Sequence, residues 1–568
     1  MRHRVTFLPQ GRITSTPDGG TLLSAAHWAG VPIESTCGGC GTCGKCRVRL
    51  REGSAAIDEA DRRFLSDDRL QQGWRLACRT AVHAAYVVET LPVGTPRAAW
   101  AASGRTIAVD ANVRKVHLRS DQALDEMGGG QSCSTSPSAT GVLCGEELIA
   151  VEAGDTTARS FGLALDIGTT TVSGAVVNLT TGAVEASGSA PNRQAVYGAD
   201  VIARIHHAVR APNGLAELQA ALAATMQQLT EELTARSEEL YEAVAVGNAT
   251  MLHLLLGIDP AGIAVSPFLP AFRDALTVRA AEVGLHLHPE ARLSTLPLLG
   301  AYAGADVVSG LLATDVVRRS DGKARLYLDV GTNSEIALCA GGRALATAAP
   351  AGPAFEGAHI RGGMPEAPGA IERVEIGDDV RLGIAGGGPR PVGICGSGLV
   401  DAVAELLRCG LIAASGRFAS GRFPDALQKR LIPDWGFLLS APEDGIILTQ
   451  ADLRALQLAK AAIAAGTRVL MDRLGVRTED LEEVLLAGSF GTYLNAGSAR
   501  AIGLVPGVPI ERIRAVGNAA LEGARIALIS RAERDAARQM PDHVEYVELS
   551  GDPGFNDCFS AALAFPRA

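Results

Sequence analysis

A chain of 568 residues is too long for one hydrophobic core, so two to four domains are expected. Its 20% charged and 47% apolar residues are ordinary for soluble globular protein, and a net charge of −10 argues against nucleic acid or an anionic membrane as partner. No apolar stretch reaches bilayer length and the start, Met-Arg-His-Arg-Val-Thr-Phe, lacks a signal-peptide core, so a cytoplasmic protein is expected.

Residues 1–92 read as a small α+β domain. Val5-Thr6-Phe7 and Gly11-Arg12-Ile13 predict a hairpin, Thr21 to Ala29 a short helix, and Cys46-Arg-Val-Arg-Leu50 a strand. Between helix and strand lies Cys37-Gly-Gly-Cys40-Gly-Thr-Cys43-Gly-Lys-Cys46, with Cys78 downstream in Trp74-Arg-Leu-Ala-Cys78. Five of the eleven cysteines crowd here, which suits a cytosolic metal site better than a disulfide framework. The interleaved glycines let the backbone curl tightly and turn its amides toward sulfide. Cys37, Cys43, Cys46 and Cys78 come near the plant-type spacing of a [2Fe–2S] cluster. Cys37, Cys40, Cys43 and Cys46 would instead approach a [4Fe–4S] run. That run normally ends x3-Cys-Pro, whereas Arg47 follows Cys46 here, and Cys78 would have no use. The first set is therefore preferred, with Cys40 a spare thiol. Zinc is the bland alternative, but its ligands usually come in pairs from two separated segments. Gly39-x4-Gly44-Lys45-Cys46 nearly matches a P-loop, yet Cys replaces the Mg²⁺-binding hydroxyl and no strand-to-helix context exists.

Residues 93–160 read as a linker whose middle, Gly128 to Pro137, is small, polar and expected to be flexible. From Phe161 onward strands and helices alternate, as in α/β architecture. An internal echo divides this region into 161–320 and 321–568. Leu163-Ala-Leu-Asp166-Ile-Gly168-Thr169-Thr170-Thr171 is matched by Leu326-Tyr-Leu-Asp329-Val-Gly331-Thr332-Asn333-Ser334-Glu335. Two lobes facing across a cleft are the natural reading. In each turn Gly permits a tight reversal, and the amides and hydroxyls that follow can hold phosphate. Asp166 or Asp329, at a strand's end, can hold Mg²⁺ through water or orient an attacking water. Further along, Val484-Leu-Leu-Ala-Gly488-Ser489-Phe490-Gly491 is a strand entering a Gly turn, where a base and ribose can approach the backbone. Val246-Gly247-Asn248-Ala249-Thr250 and Val516-Gly517-Asn518-Ala519-Ala520 each precede a helical pattern, as does Ile394-Cys395-Gly396-Ser397-Gly398-Leu399, with its helix expected near Val400-Asp401. Helix starts of this kind bind anions, though plain Gly-capped turns read the same way.

The order of phosphate turn, second phosphate turn and Gly-Ser-Phe-Gly segment resembles the ASKHA superfamily of acetate and sugar kinases, actin and their chaperone relatives. With the cysteine module in front, nearly the whole chain resembles the RACo-like family, the reductive activators of corrinoid proteins. The most diagnostic stretches are the cysteine loop, Phe161-Gly-Leu-Ala-Leu-Asp-Ile-Gly-Thr-Thr-Thr171, Asp329-Val-Gly-Thr-Asn-Ser-Glu335 and Gly352-Pro-Ala-Phe-Glu356-Gly357. The chain departs from the pattern at Cys40, where members usually carry Arg or Lys, and in a shortened, Ser/Gly-rich connector.

The resemblance implies a β-grasp [2Fe–2S] ferredoxin-like domain, a flexible linker and a two-lobed, ribonuclease H-like ASKHA domain. It implies an ATP-dependent activator that passes an electron from its cluster to the inactive Co(II) corrinoid of a partner corrinoid protein or cobalamin-dependent methyltransferase. A plant-type cluster sits near roughly −400 mV and each 100 mV uphill costs about 2.3 kcal/mol per electron, so ATP is expected to drive the transfer. By the same resemblance Asp166 and Asp329 position Mg²⁺ and water. Gly168, Thr169, Thr170 and Thr171 with Gly331, Thr332 and Asn333 hold phosphates, and Gly488, Ser489 and Gly491 cradle adenosine. Glu335 and Glu356 are further candidates for polar work in the cleft. An upstream electron donor is required, and a homodimer is a candidate assembly from the family alone. Rival functions are a small-molecule kinase with a redox-sensing ferredoxin domain, an activator of a dehydratase-type radical enzyme, and a nucleotide-gated chaperone.

Overall fold

The structure, a computed structural model, describes residues 1–568 except positions 32, 34, 36–38, 40, 42, 43, 92–103, 120–137, 199, 358, 433, 434, 443, 567 and 568, and except the side chains of residues 119 and 489. Among the described residues no helix is long and apolar enough to cross a membrane.

The expected hairpin forms from Arg2–Leu8 and Arg12–Pro17, with Val5 opposite Thr14. Tyr86–Thr90 joins Arg2–Leu8 in parallel, and Arg47–Glu52 and Trp74–Leu76 complete a five-stranded sheet. The helix Leu22–Trp28 starts where Thr21 accepts a hydrogen bond from the Ser24 amide, a side-chain cap of the kind worth about 1 kcal/mol. Its Leu22, Leu23, Ala25 and Ala26 cover Val5, Phe7, Val48 and Val88, the alternating inner face of the sheet. This is a β-grasp ferredoxin fold.

Two six-stranded sheets carry the rest. In the first, the hairpin Phe161–Ile167 and Thr171–Asn178 is extended on one side by Val184–Pro191, and on the other by the parallel strands Leu240–Gly247 and Arg292–Thr295. In the second, Ala324–Asp329 and Ser334–Ala340 are extended by Arg343–Ala349, and by the parallel Leu481–Ala487 and Ile513–Gly517. The same order recurs in both, so each Asp-x-Gly-Thr turn sits at the tip of an equivalent hairpin. The internal echo is thus a duplicated topology, and the α/β, two-lobed ASKHA architecture is what the chain adopts.

Two features differ from the division read in the sequence. Within 93–160, Val113–Arg119, Ser138–Cys144 and Glu147–Ala153 form a three-stranded antiparallel sheet. Its Val113, Val142 and Cys144 are buried in the core of the first lobe, and that burial makes this segment structure rather than tether. The stretch Gly128 to Pro137 lies outside the described residues. Second, the helix Ala519–Ile529 leaves the second sheet and packs on the first lobe, buried along its whole length. It meets the helix Ala305–Thr314 so closely that a Cβ on Gly523 would lie 2.0 Å from the Ser309 carbonyl. The range 321–568 therefore supplies core to both lobes.

Candidate nucleotide cleft and cluster domain

Between the lobes lies a cavity of about 540 Å³, walled by both hairpin tips, by the start of the helix Gly396–Arg408, and by His27, Gly30 and Ile33 of the ferredoxin domain. The first tip is braced from beneath. Gly168 donates its amide to the Thr171 carbonyl at 3.0 Å, and Asn192 donates its side-chain amide to the Gly168 carbonyl at 2.9 Å. Arg204, fully buried, donates to the carbonyls of Thr169 at 2.6 Å and Gly198 at 3.0 Å. Burial pulls its guanidinium down to about 9. Asn248 donates to the Thr169 hydroxyl at 3.1 Å while accepting the Met251 amide as cap of the helix Ala249–Leu256. Gly168, Thr169, Thr170 and Thr171 all reach the cavity wall, as do Gly331, Thr332 and Asn333 of the second tip.

Among the carboxyls that line this space, four act on one another: Asp166, Asp306, Asp329 and Glu335. Asp329 and Glu335 stand directly opposite one another in the second hairpin, an arrangement that like charges disfavour. Burial raises Asp166 to about 6, partly offset by a hydrogen bond from Asn518. Burial raises Asp306 to about 7, with repulsion from Asp166 and Asp329 added and the Val307 amide acting the other way. Asp329 is raised by burial and by the charge of Asp166, against donation from the Tyr327 hydroxyl at 3.3 Å. Glu335 is raised by burial, then by Asp306 and Asp329. Such a cluster invites a divalent cation, which would replace the shared protons. Among the described residues no three His, Cys, Asp or Glu side chains close into a cage by themselves.

Asp306 had no signal in the sequence. It is the second residue of the helix Ala305–Thr314, and only the fold brings that helix end to the strand tips. The Gly-rich third motif is redistributed: Gly488 and Phe490 face the cavity, whereas a Cβ on Gly491 would press on the Leu486 backbone at 3.1 Å. The side chain of Ser489 lies outside the described atoms. The helix expected near Val400 begins at Gly396, because Gly396 and Gly398 allow it to run against the carbonyls of Phe355 and Ile371, where Cβ atoms would come within 2.0 and 2.1 Å. Gly396 and Ser397 thus point an uncapped helix start into the cavity, a favourable place for an anion.

Glu356 belongs to the short turn Pro353–Glu356, entered through Gly352 at φ +73° and left through Gly357 at φ +77°. Its carboxylate accepts from the Thr170 hydroxyl at 3.0 Å and also from the Thr332 hydroxyl, so it bridges the two phosphate turns.

In the ferredoxin domain Cys46 and Cys78 are buried with their Sγ atoms 3.2 Å apart, well beyond the ~2.05 Å of a disulfide. Two thiols side by side and not joined as a disulfide suit two ligands of one iron. Cys37, Cys40 and Cys43 lie outside the described residues.

These features define a class: a ferredoxin domain joined to a two-lobed ASKHA nucleotide-binding domain. Residues 5–83 match the 2Fe-2S iron-sulfur cluster binding domain, residues 161–319 the RACo middle region, and residues 323–568 the C-terminal ASKHA domain of RACo. The chain is 35% identical over 420 residues to the corrinoid activation enzyme RamQ of Eubacterium limosum, covering 71% of this chain and 70% of that protein. It is 29% identical over 318 residues to the [Co(II) methylated amine-specific corrinoid protein] reductase of Methanosarcina barkeri, covering 52% and 55%. Among solved structures it superimposes on a reductive activator for corrinoid,iron-sulfur protein with a TM-score of 0.74 and 31% identity, covering 100% of this chain and 98% of that one. The chain belongs to the RACo family of reductive activators of corrinoid proteins.

Proposed function

We propose that this protein restores corrinoid partners that have lost an electron, transferring one electron from its [2Fe–2S] cluster to the partner's Co(II) to give Co(I), at the expense of ATP. The observation that carries the reading is the ferredoxin domain forming one wall of a cleft built from two phosphate turns. Cys37, Cys43, Cys46 and Cys78 would hold the cluster, which supplies a single low-potential electron when bound. Mg²⁺-ATP supplies the driving force.

Every other step falls to this chain's own groups. The amides and hydroxyls of Gly168 to Thr171 and of Gly331 to Asn333 bind phosphate, and Gly396 and Ser397 add a helix start. Asp166, Asp306 and Asp329 would hold Mg²⁺ through its waters, and one of these carboxylates accepts the proton of the attacking water. Glu335, directly opposite Asp329 in the second hairpin, shares a proton with it when no cation is bound. Gly488 and Phe490 receive the adenosine end. A one-electron donor of the ferredoxin or flavoprotein class refills the cluster. Thiolate ligation of this kind belongs in a reducing compartment, which the cytoplasm provides. A homodimer is the assembly to look for first.

The test uses anaerobic holoprotein with reduced cluster, Mg²⁺-ATP and a Co(II) corrinoid protein, following Co(I) optically and ATP turnover in parallel. Co(I) appearing only with ATP, and turnover rising only with the partner, support the proposal. Steady phosphorylation of a metabolite without electron transfer would turn the reading to the kinase alternative.

A further inference from the structure

One cation of the cluster loop reaches into the nucleotide lobe. Lys45, adjacent to Cys46, donates to the carbonyls of Gly363, at 3.0 Å, and Gly357. Gly357 directly follows Glu356, the carboxylate that ties Thr170 to Thr332. On the opposite bank the ferredoxin domain rests on the first lobe, where a Cβ on Gly30 would lie 2.7 Å from the Arg193 guanidinium and 2.8 Å from the Gln228 amide oxygen. The cluster domain therefore spans the cleft mouth, held on one side by close packing and on the other by Lys45.

The carboxylate of Glu356 stands where a hydroxyl of each turn donates to it. An incoming phosphate needs those same hydroxyls and carries the same charge, so the two anions exclude each other. Gly357, in the left-handed region, has its would-be Cβ 2.6 Å from the Met364 amide, so this backbone passes as a close-packed pair with the segment holding Gly363. Moving Glu356 moves the carbonyl that Lys45 grips.

We propose that Lys45 is a positioning residue that docks the cluster domain across the cleft, and that phosphate arriving between Thr170 and Thr332 evicts Glu356, shifts Gly357 and releases Lys45. This rests on the reading of the cleft as a nucleotide site. Release would free the cluster-bearing face for a corrinoid partner only after nucleotide is bound.

Amine footprinting tests it on the anaerobic holoprotein. The chain has five lysines, of which the side chains of Lys115 and Lys460 are buried while that of Lys323 is half exposed and serves as internal standard. A pulse of acetylating reagent is given with and without the β,γ-imido analogue of ATP and Mg²⁺, binding is measured in the same sample by calorimetry, and each lysine is quantified by mass spectrometry. Lys45 is expected to label slowly without nucleotide and about tenfold faster with it, the factor that loss of a charged hydrogen bond of ~1.4 kcal/mol represents. Glu356→Gln, lacking the repelling charge, is expected to bind the analogue yet keep Lys45 protected. Thr332→Val, a milder change, is expected to leave Lys45 partly exposed from the start. Calorimetric binding with no change at Lys45 overturns the relay while leaving the nucleotide site intact. Lys45 already labelling like Lys323 without nucleotide also overturns it. Absence of any calorimetric binding overturns the nucleotide reading itself, and the relay with it.

Discussion

Asn518 donates its side-chain amide to Asp166 Oδ2 at 2.8 Å while its own side-chain oxygen accepts the Leu521 amide at 2.8 Å. One residue thus caps the helix Ala519–Ile529, which arrives from the second sheet, and restrains the carboxyl at the tip of the first. Asn248 does the equivalent work for the other edge of the same turn, capping its helix and holding Thr169. The two Gly-Asn-Ala segments are therefore braces of the phosphate turn.

Asn518→Ala removes both bonds. The lost cap alone costs about 1 kcal/mol, and loss of the donor lets Asp166 rise further above about 6. A proton then competes harder with the cation. Calorimetric titration with Mg²⁺-nucleotide should show a weakening of several-fold near about pH 6.5 that narrows near about pH 8. Equal weakening at both pH values would mean that only the cap mattered.

The carboxyl cluster also predicts how the metal-free protein responds to pH. Asp166 and Asp306 titrate higher in the folded chain, about 6 and about 7, than in an unfolded one, at 3.8. Between those limits the folded state binds more protons, so stability falls as pH rises from about 4 toward about 7, and each tenfold gain in a carboxyl's proton affinity on folding corresponds to ~1.4 kcal/mol. Thermal denaturation of the nucleotide-binding lobes without metal should give a lower midpoint near about pH 8 than near about pH 6. Mg²⁺-nucleotide should shrink or reverse the difference, because a bound cation favours the ionised form. A midpoint that climbs with pH in the absence of metal would count against a shared-proton cluster.

The two lobes were legible because the Asp-x-Gly-Thr turn between apolar strands, which many hairpins contain singly, occurs twice at matching places. The ferredoxin domain was legible from cysteine spacing. What escaped notice depends on long-range packing. Asp306 lies in Gly304-Ala-Asp-Val-Val-Ser, an unremarkable helical start, and acquires its character only from burial among three other carboxyls. The sheet at 113–153 was hidden by the polar stretch inside it, although Val113, Val142 and Cys144 are core residues. Gly396 and Gly398 looked like loop residues, since sequence does not reveal that a helix must pass within touching distance of Phe355 and Ile371. Phe490, not Gly491, faces the cavity for a similar reason: a strand's exit angle is set by its neighbours.

Asp306→Asn separates stability from function. Removing one member of the cluster relieves repulsion on Glu335 and takes away a carboxyl that Asp166 and Asp329 themselves repel, so the metal-free protein should gain on the order of 1 kcal/mol in denaturant unfolding. Mg²⁺-nucleotide affinity should fall about tenfold or more, since a ligand to the water shell is lost. A variant that loses stability while keeping its affinity would assign Asp306 a purely structural place.

The ligand set of the cluster is decided by two substitutions. If Cys78 pairs with Cys46 on one iron, Cys78→Ser should lose most of the iron and the electron paramagnetic resonance signal of the reduced protein, while Cys40→Ser keeps both. A [4Fe–4S] run drawn from Cys37, Cys40, Cys43 and Cys46 would give the opposite result. The 3.2 Å approach of the Cys46 and Cys78 sulfurs favours the first outcome.

Gly488 has φ +86°, and a Cβ there would sit 2.5 Å from Asp329 Oδ1. Gly488→Ala therefore combines a left-handed backbone strain of about 1 kcal/mol with a direct push on the carboxylate at the tip of the second hairpin. Displacing Asp329 by a few tenths of an ångström alters its angle to the phosphate turn without touching the ferredoxin domain. Nucleotide turnover should drop by at least about tenfold, while iron content and the resonance spectrum of the reduced cluster stay as they were. Turnover that survives the methyl group would show that Asp329 can relax, and that its position at the strand end is less constrained than the packing around it implies.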